Sequence, residues 1–264
     1  MSEVIYGKDN PKAKYLRSLH DRKKASAEGL VFIEGTRLCE DALKTGAVPT
    51  VLAYTSSKEE LVRNWIGLFC LDLNVTELLC FSDDLFAKIC STVNPQGVAM
   101  VVKEPDLSSD IPFRGDKDIY VCLENLQDPG NMGTVIRLAD AFDFTSVILC
   151  GNCCDPYNEK VLRSSMGSVW HVPIRKLDNS SDVFNFCRSN GIKTMAMHLK
   201  GDDLKSAPIS LPCCYFIGNE GKGLSDELTA SCDLKVKIPM PGKAESLNAA
   251  SAASVIGYIL SSLR

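Results

Sequence analysis

The chain has 264 residues, with 45% hydrophobic and 23% charged side chains and a net charge of -4, a balance that fits one large or two ordinary globular domains. The acidic balance excludes a uniformly basic nucleic-acid binder but leaves room for a local basic patch. No apolar run is long enough to span a bilayer, and the first residues lack a charged-then-apolar signal pattern, so a cytoplasmic protein with no membrane contact is expected.

The twelve cysteines are scattered, and reduced thiols are expected. Cys150 and Cys153 form one CxxC, and Cys213-Cys214 is a second cluster. His20, His171 and His198 do not supply the spacing of a zinc site, so no metal centre is expected. Cys122, Cys150 and Cys214 fall within apolar, strand-like runs, where cysteine acts as a small buried hydrophobe.

In chain order, Asn10-Pro11 opens a helix expected over residues 10–27, with Asn10 as cap and Pro11 at its first position. Lys8, Lys12, Lys14, Arg17, Arg22, Lys23 and Lys24 cluster here against Asp9 and Asp21. Such a cluster suits either phosphate contact or a solvated helix face. Alternating elements follow: strands at 30–34, 50–54, 75–79 and 97–103, and helices at 36–45, 58–66 and 83–90. They make an α/β unit over residues 1–104. Residues 105–117 are polar, hold two prolines, and read as an interdomain linker.

Residues 118–264 alternate again. Strands are expected at 119–123, 146–150, 169–173, 193–198, 213–217 and 234–238. Helices are expected at 131–142, 158–165 and 182–189, with a final apolar helix from 249. This alternation predicts a mostly parallel sheet covered on both faces, with ligands at the carboxyl ends of its strands.

Three segments follow predicted strands. In residues 124–137, Pro129-Gly130 turns the chain, Asn131 can cap a helix, and Gly133 allows close backbone approach. Arg137 is the lone cation in an apolar stretch there, and its bland role is an ion pair with Asp140. Residues 216–224 are glycine-rich and read GxxGxG, and Glu220 sits at a strand's end. Neither GxGxxG nor GxxxxGK[ST] occurs, so dinucleotide and P-loop fingerprints are missing; so is the GxSxG of many hydrolases. In residues 238–248, two prolines and Gly242 mark a turn, and Ser246 or Asn248 can cap the last helix. That helix has no charge on any side, which points to burial or to half of an interface.

The segments N-L-Q-D-P-G-N-M-G-T-V-I-R, I-G-N-E-G-K-G-L and I-P-M-P-G-K-A-E-S-L-N-A-A-S-A-A resemble the three motifs of the SpoU (TrmH) family of RNA ribose methyltransferases, in the family's order. With L-R-S-S-M-G at residues 162–167, the likeness covers roughly residues 119–263. Residues 1–104 resemble, more weakly, the ribosomal-protein-like substrate-binding domain of family members, through Asn10-Pro11 and Val31-Phe32-Ile33-Glu34-Gly35. The resemblance implies a SPOUT fold, a parallel sheet with a C-terminal trefoil knot. It implies S-adenosyl-L-methionine as cofactor, bound by Gly218, Asn219, Glu220, Gly221, Ile238, Met240, Ser246 and Leu247. It implies Arg137, Asn131, Glu220, Ser246 and Asn248 as catalytic residues, and a homodimer through the last helix.

RNA contacts are expected at Lys12, Lys14, Arg17, Arg22, Lys23, Arg37 and Arg163. The expected activity is methylation of a ribose 2′-hydroxyl, with large-subunit ribosomal RNA as the preferred substrate. Transfer RNA, or a non-catalytic RNA-binding role on the same fold, is the alternative. Arg137 would act either as base or as a phosphate clamp. A base role is hard to credit from the solution pKa of arginine, and a clamp that orients and polarises the hydroxyl is equally consistent.

Overall fold

Asn10 accepts hydrogen bonds from the Lys12 and Ala13 amides (2.9 and 3.4 Å) and, with Pro11 at the first position, starts α1 (Pro11–Ser18). The helix expected to run to residue 27 breaks in two. Asp21 accepts from the Lys23 amide and begins α2 (Arg22–Ala27). The break keeps Leu16 and Leu19 on one side of the turn and Ala25 on the other all buried in one core.

A computed structural model describes residues 3–264, which divide into two units, one ending at Pro105 and the other running from Asp106 to Arg264. The first continues with β1 (Leu30–Glu34), α3 (Thr36–Lys44), β2 (Pro49–Thr55), α4 (Glu59–Leu68), β3 (Glu77–Phe81), α5 (Asp83–Ile89) and β4 (Val98–Lys103). Its sheet has the order β1-β4-β2-β3. The strand β4 is inserted antiparallel between β1 and β2, and β2 and β3 are parallel. Phe32, Phe81, Phe86 and Ile89 centre the core beneath the helices.

The second unit holds β5 (Ile119–Glu124), α6 (Pro129–Ala141), β6 (Ser146–Cys150), α7 (Glu159–Ser165), β7 (Ile174–Leu177), α8 (Ser180–Ser189), β8 (Lys193–Asp203), β9 (Cys213–Ile217), α9 (Asp226–Ser231), β10 (Leu234–Lys237) and α10 (Ala249–Ser261). All six strands are parallel, in the order β10-β8-β9-β5-β6-β7. Every residue of β5, β6 and β9 is buried, which is why these strands read as continuous apolar runs. Connections leave β5 toward β6 and leave β9 toward β10, so the strand order reverses between β5 and β9. A crevice opens at the carboxyl ends of strands at such a point.

Several elements depart from the sequence reading. The strand expected at 169–173 is a 3-10 turn, Ser168–Trp170, and pairing starts at Ile174. Met166 and Gly167 take left-handed backbone angles that turn the chain off α7 first. Helix α9 carries no strong apolar period and was not expected. Helix α6 is capped by Asp128 rather than Asn131, whose amide donates to the Asp128 carboxylate at 2.7 Å. Helix α10 is not apolar-buried all round: Ala250, Ala253, Ile256 and Leu260 are buried, whereas Val255 and Tyr258 are 39% and 65% exposed.

The polar stretch expected as an interdomain linker is fastened to the second unit. Leu107 O accepts from the Lys176 amide (2.8 Å) and Pro112 O from the Tyr120 hydroxyl (2.7 Å). The buried Asp118 carboxylate accepts from the Arg114 and Gly115 amides and from the Thr145 and Tyr120 hydroxyls. Burial opposes its ionisation, but these four donors together hold its pKa below the ordinary 3.8.

Candidate active site

The carboxyl ends of β5 and β9 release the two loops that build the site. At the end of β5, Asn125 takes a left-handed backbone (φ 54°), a conformation asparagine tolerates better than most residues. Its carbonyl accepts from the Asn219 side-chain amide at 3.0 Å, joining the loops. Asn219 Oδ1 in turn accepts from the Gly221 and Lys222 amides (3.0 and 3.1 Å), which closes the glycine-rich turn. Below it, the buried Glu124 carboxylate accepts from both the amide and the hydroxyl of Ser225 (2.7 and 2.6 Å). Gly218 has no room for a side chain: a Cβ there would lie 2.1 Å from the Gly223 carbonyl carbon.

Glu220 is the hub. Its carboxylate accepts from the Asp128 amide (2.9 Å), the Asn131 side-chain amide (3.2 Å) and the Gln127 amide (3.4 Å). Burial pushes its pKa up, but the Asp128 amide, its own amide, Asn131 and Gln127 outweigh that and hold it below 4.5. Asn131 Oδ1 accepts from Asn248 Nδ2 at 2.8 Å. Asn248 Oδ1 caps α10 through the Ala250 and Ser251 amides (3.0 and 3.3 Å). The helix starts of α6 and α10 and the glycine loop thus meet through three side chains.

Beside this junction lies a cavity of about 470 Å³. Gly218, Asn219, Glu220 and Gly221 line it from one loop, and Ile238, Met240, Ser246 and Leu247 from the other. The eight residues expected around the cofactor therefore share one space, which is of a size for a small molecule. Arg137 does not line it. It is exposed on α6, six residues from Asn131 and so ~9 Å along the axis. Asp140 is not its partner: that carboxylate pairs with His171 Nδ1 at 3.0 Å, and among the described residues Arg137 has no ion pair.

The basic residues divide by environment. Arg22 is sequestered, paired with Glu104 at 2.6 Å with both side chains largely buried, and donating to Leu30 O at 2.9 Å. It joins α2 to the ends of the sheet strands, so it is a structural residue and not an exposed phosphate contact. Lys12 pairs with Glu77, Lys14 with Asp9 and Arg163 with Glu159, exposed pairs of the weak kind that a phosphate can displace. Arg37 is itself exposed but leans on the buried Asp41 carboxylate at 3.7 Å. Arg17 and Lys23 are exposed with no carboxylate partner among the described residues.

Sequence reasoning missed Asp128, the Glu124–Ser225 clamp and the His171–Asp140 pair. Only Asp128 left a signal, as an acidic residue immediately before a first-turn proline. All twelve cysteines are free thiols, and burial pushes Cys154, Cys213 and Cys232 up to about 12. Among the described residues no cluster of His, Cys, Asp or Glu is arranged to hold a metal ion, and no helix is long and apolar enough to cross a membrane.

Residues 118–258 match the SpoU rRNA Methylase family and residues 10–100 the MRM3-like substrate binding domain. The chain belongs to the SpoU rRNA methylase family. It is 33% identical over 254 residues, 95% of this chain and 96% of the relative, to a Bacillus subtilis (strain 168) protein named 23S rRNA (guanosine(2553)-2′-O)-methyltransferase RlmP. It is 30% identical over 248 residues, 91% of this chain and 85% of the relative, to the 23S rRNA (uridine(2479)-2′-O)-methyltransferase of Streptomyces viridochromogenes. The fold is similar to that of an AdoMet-bound rRNA methyltransferase from Sinorhizobium meliloti, with a TM-score of 0.86 and 29% identity over 98% of this chain and 97% of that one.

Proposed function

We propose that the chain methylates a ribose 2′-hydroxyl of large-subunit ribosomal RNA with S-adenosylmethionine, as a cytoplasmic homodimer. The observation that carries this reading is the Asn131–Glu220–Asn248 junction beside the cavity at the sheet's carboxyl end. Near-full-length relatives named for 2′-O methylation of 23S rRNA support the substrate class, and the AdoMet-bound neighbour supports the cofactor.

The residues present fit that cofactor: main chain folded on itself at Gly218, apolar walls at Ile238, Met240 and Leu247, and polar groups at the junction. When bound, S-adenosylmethionine supplies a methyl group already activated on a sulfonium. The protein's task is then to align the hydroxyl and help it lose its proton. Glu220, ionised and held by amide donors, fixes the loop after β5 against the loop after β9. Asn131 and Asn248 hold two helix starts at the cavity's edge. Arg137, exposed and without an ion pair among the described residues, can take an RNA phosphate bidentately and so orient the neighbouring ribose. The proton then leaves to phosphate or water.

An apolar groove of about 520 Å³, lined in part by Ile238, Pro239, Pro241, Val255 and Ile259, shares Ile238 with the cavity. A second copy seated there would cover the exposed Val255 and Tyr258 of α10. The trefoil knot implied by the family resemblance belongs to the same proposal, since residues 238–248 return beside the β9 loop to line the cavity. In the first unit, Arg17 and Lys23, exposed and without an ion pair among the described residues, fit phosphate contact.

The test is mass-spectrometric mapping of ribose methylation in cells with and without the gene, paired with transfer of labelled methyl to purified RNA. A large-subunit rRNA methyl group that vanishes without the gene is expected. Loss from tRNA instead reassigns the substrate. Cofactor binding without transfer to any RNA would overturn the enzyme reading in favour of a binding protein.

A further inference from the structure

The strand β8 does something its neighbours do not. Met195 and Ala196 stand opposite Leu234 and Lys235 of β10, yet the next pair is Asp202 with Val236. Residues 197–201 are left without partners on β10, and pairing with β9 has already ended at Ala196. The chain therefore arches out of the sheet at Met197 and returns at Gly201, an extreme form of strand bulge. The return point admits only glycine, because a Cβ there would lie 2.5 Å from the Lys235 carbonyl carbon and the Val236 nitrogen. Within the arch, His198 Nδ1 accepts from the Lys200 amide at 3.2 Å. Met197, His198, Leu199 and Lys200 all line the cavity.

The cavity's charges single out one of these residues. Glu220, Asp226, His198, Lys200, Lys222 and Lys237 all line it, and none of the three lysines has an ion pair among the described residues. Lys237 is held in the ladder opposite Asp203, and Lys222 belongs to the glycine turn itself. Lys200 stands on the arch, where β10 offers no residue in register with it. An α-carboxylate placed in such a cavity requires a cation, and a charge-assisted hydrogen bond is the strong form of that contact.

We propose that the β8 arch reads the amino-acid arm of the cofactor, with Lys200 as the partner of its carboxylate and Gly201 as the residue that holds the arch in place. This rests on the S-adenosylmethionine reading given above. The adenosine end is left to the apolar wall of Ile238, Met240 and Leu247, and the amino-acid end to the arch.

Calorimetric titration of the full chain with two probes tests it: S-adenosylhomocysteine, and 5′-methylthioadenosine, which keeps the adenosine thioether but lacks the amino-acid arm. Lys200→Met should weaken S-adenosylhomocysteine about tenfold or more while leaving 5′-methylthioadenosine within about twofold, since losing a charge-assisted bond is worth a factor of that order. Lys222→Met should not reproduce this split. Gly201→Ala, in protein that melts normally, should also lose the preference for the longer ligand. If wild type binds S-adenosylhomocysteine and Lys200→Met binds both probes as wild type does, or weakens both equally, the proposal is overturned and the cofactor reading stands. The proposal fails in the same way if Lys222→Met alone produces the split. Folded wild type that binds neither probe removes the cofactor reading, and this proposal with it.

Discussion

Asn248 Nδ2 donates to Asn131 Oδ1 at 2.8 Å across 117 residues of sequence. The bond settles the orientation of the Asn131 amide, whose nitrogen is then turned to the Glu220 carboxylate. One side chain at the start of α10 thereby governs how the start of α6 meets the glycine loop. The same Asn248 caps its own helix with its oxygen, so its two ends do separable jobs.

That separation is testable. Asn248→Ala removes the cap and should cost about 1 kcal/mol of stability. Asn248→Asp keeps an equally good cap but cannot donate to Asn131. Its melting temperature should stay near wild type while methyl transfer falls by an order of magnitude or more. An aspartate variant with normal single-turnover transfer would show that the Asn131–Asn248 bond is only scaffolding.

Glu220 gives a pH-dependent expectation. Its folded pKa lies below the ordinary 4.5 because amide donors favour the carboxylate. A depressed carboxylate contributes stability that is fully present above pH 4.5 and is lost as pH falls through the folded value. The melting difference between wild type and Glu220→Gln should therefore be constant near neutrality and shrink on acidification below 4.5. A difference independent of pH down to 3 would mean that the charge of Glu220 does not matter to the fold.

Much of this arrangement was legible before the structure. The strands β5, β6 and β9 are buried on both faces and so announce themselves as apolar runs, and the polar residues that follow them mark the loops of the site. What escaped were features set by tertiary geometry. Arg22 looks like its neighbours in sequence, but Glu104 at the end of β4 captures it. The strand expected to stop at residue 198 runs on as the β8 arch, which Gly201 alone could have hinted at. Asp128 rather than Asn131 caps α6, which freed Asn131 for the junction.

Gly218→Ala should act through backbone, not chemistry. The added methyl would meet the Gly223 carbonyl carbon at 2.1 Å and the Leu224 nitrogen at 2.2 Å, and main chain cannot step aside as a flexible side chain can. Overpacking of this kind costs roughly 1–3 kcal/mol. Reopening the turn should abolish cofactor binding in whatever fraction folds. Normal affinity in calorimetric titration would show that the turn has slack the structure does not suggest.

The dimer expectation depends on the choice of residue. Ile256 is completely buried within its own protomer, so a charge there would unfold the chain and test nothing about association. Val255 lines the apolar groove and is 39% exposed. Val255→Asp should leave the melting of the protomer nearly unchanged but place an unpaired charge in a two-copy interface. Light scattering should then give half the wild-type mass. A monomeric wild type would rule out the interface altogether.

Arg137 is the sharpest case, because the structure removes its bland explanation. An ion pair with Asp140 was the alternative, and Asp140 is instead joined to His171. Arg137 projects from α6 with Val135, Ile136 and Leu138 buried around it and, among the described residues, no ion-pair partner of its own. Nothing in the fold should change when it is replaced, so Arg137→Ala should melt with wild type and bind S-adenosylhomocysteine normally. Transfer is different. A guanidinium fork that holds a phosphate in the transition state is worth ~3 kcal/mol, about a hundredfold in rate. Lysine carries the charge but not the fork. Arg137→Lys should therefore lose most of the rate, and Arg137→Ala nearly all of it, under single-turnover conditions with cofactor saturating. If lysine restores transfer to within a few fold, charge alone suffices and the bidentate role is wrong. If alanine transfers as wild type does, Arg137 has no part in the reaction.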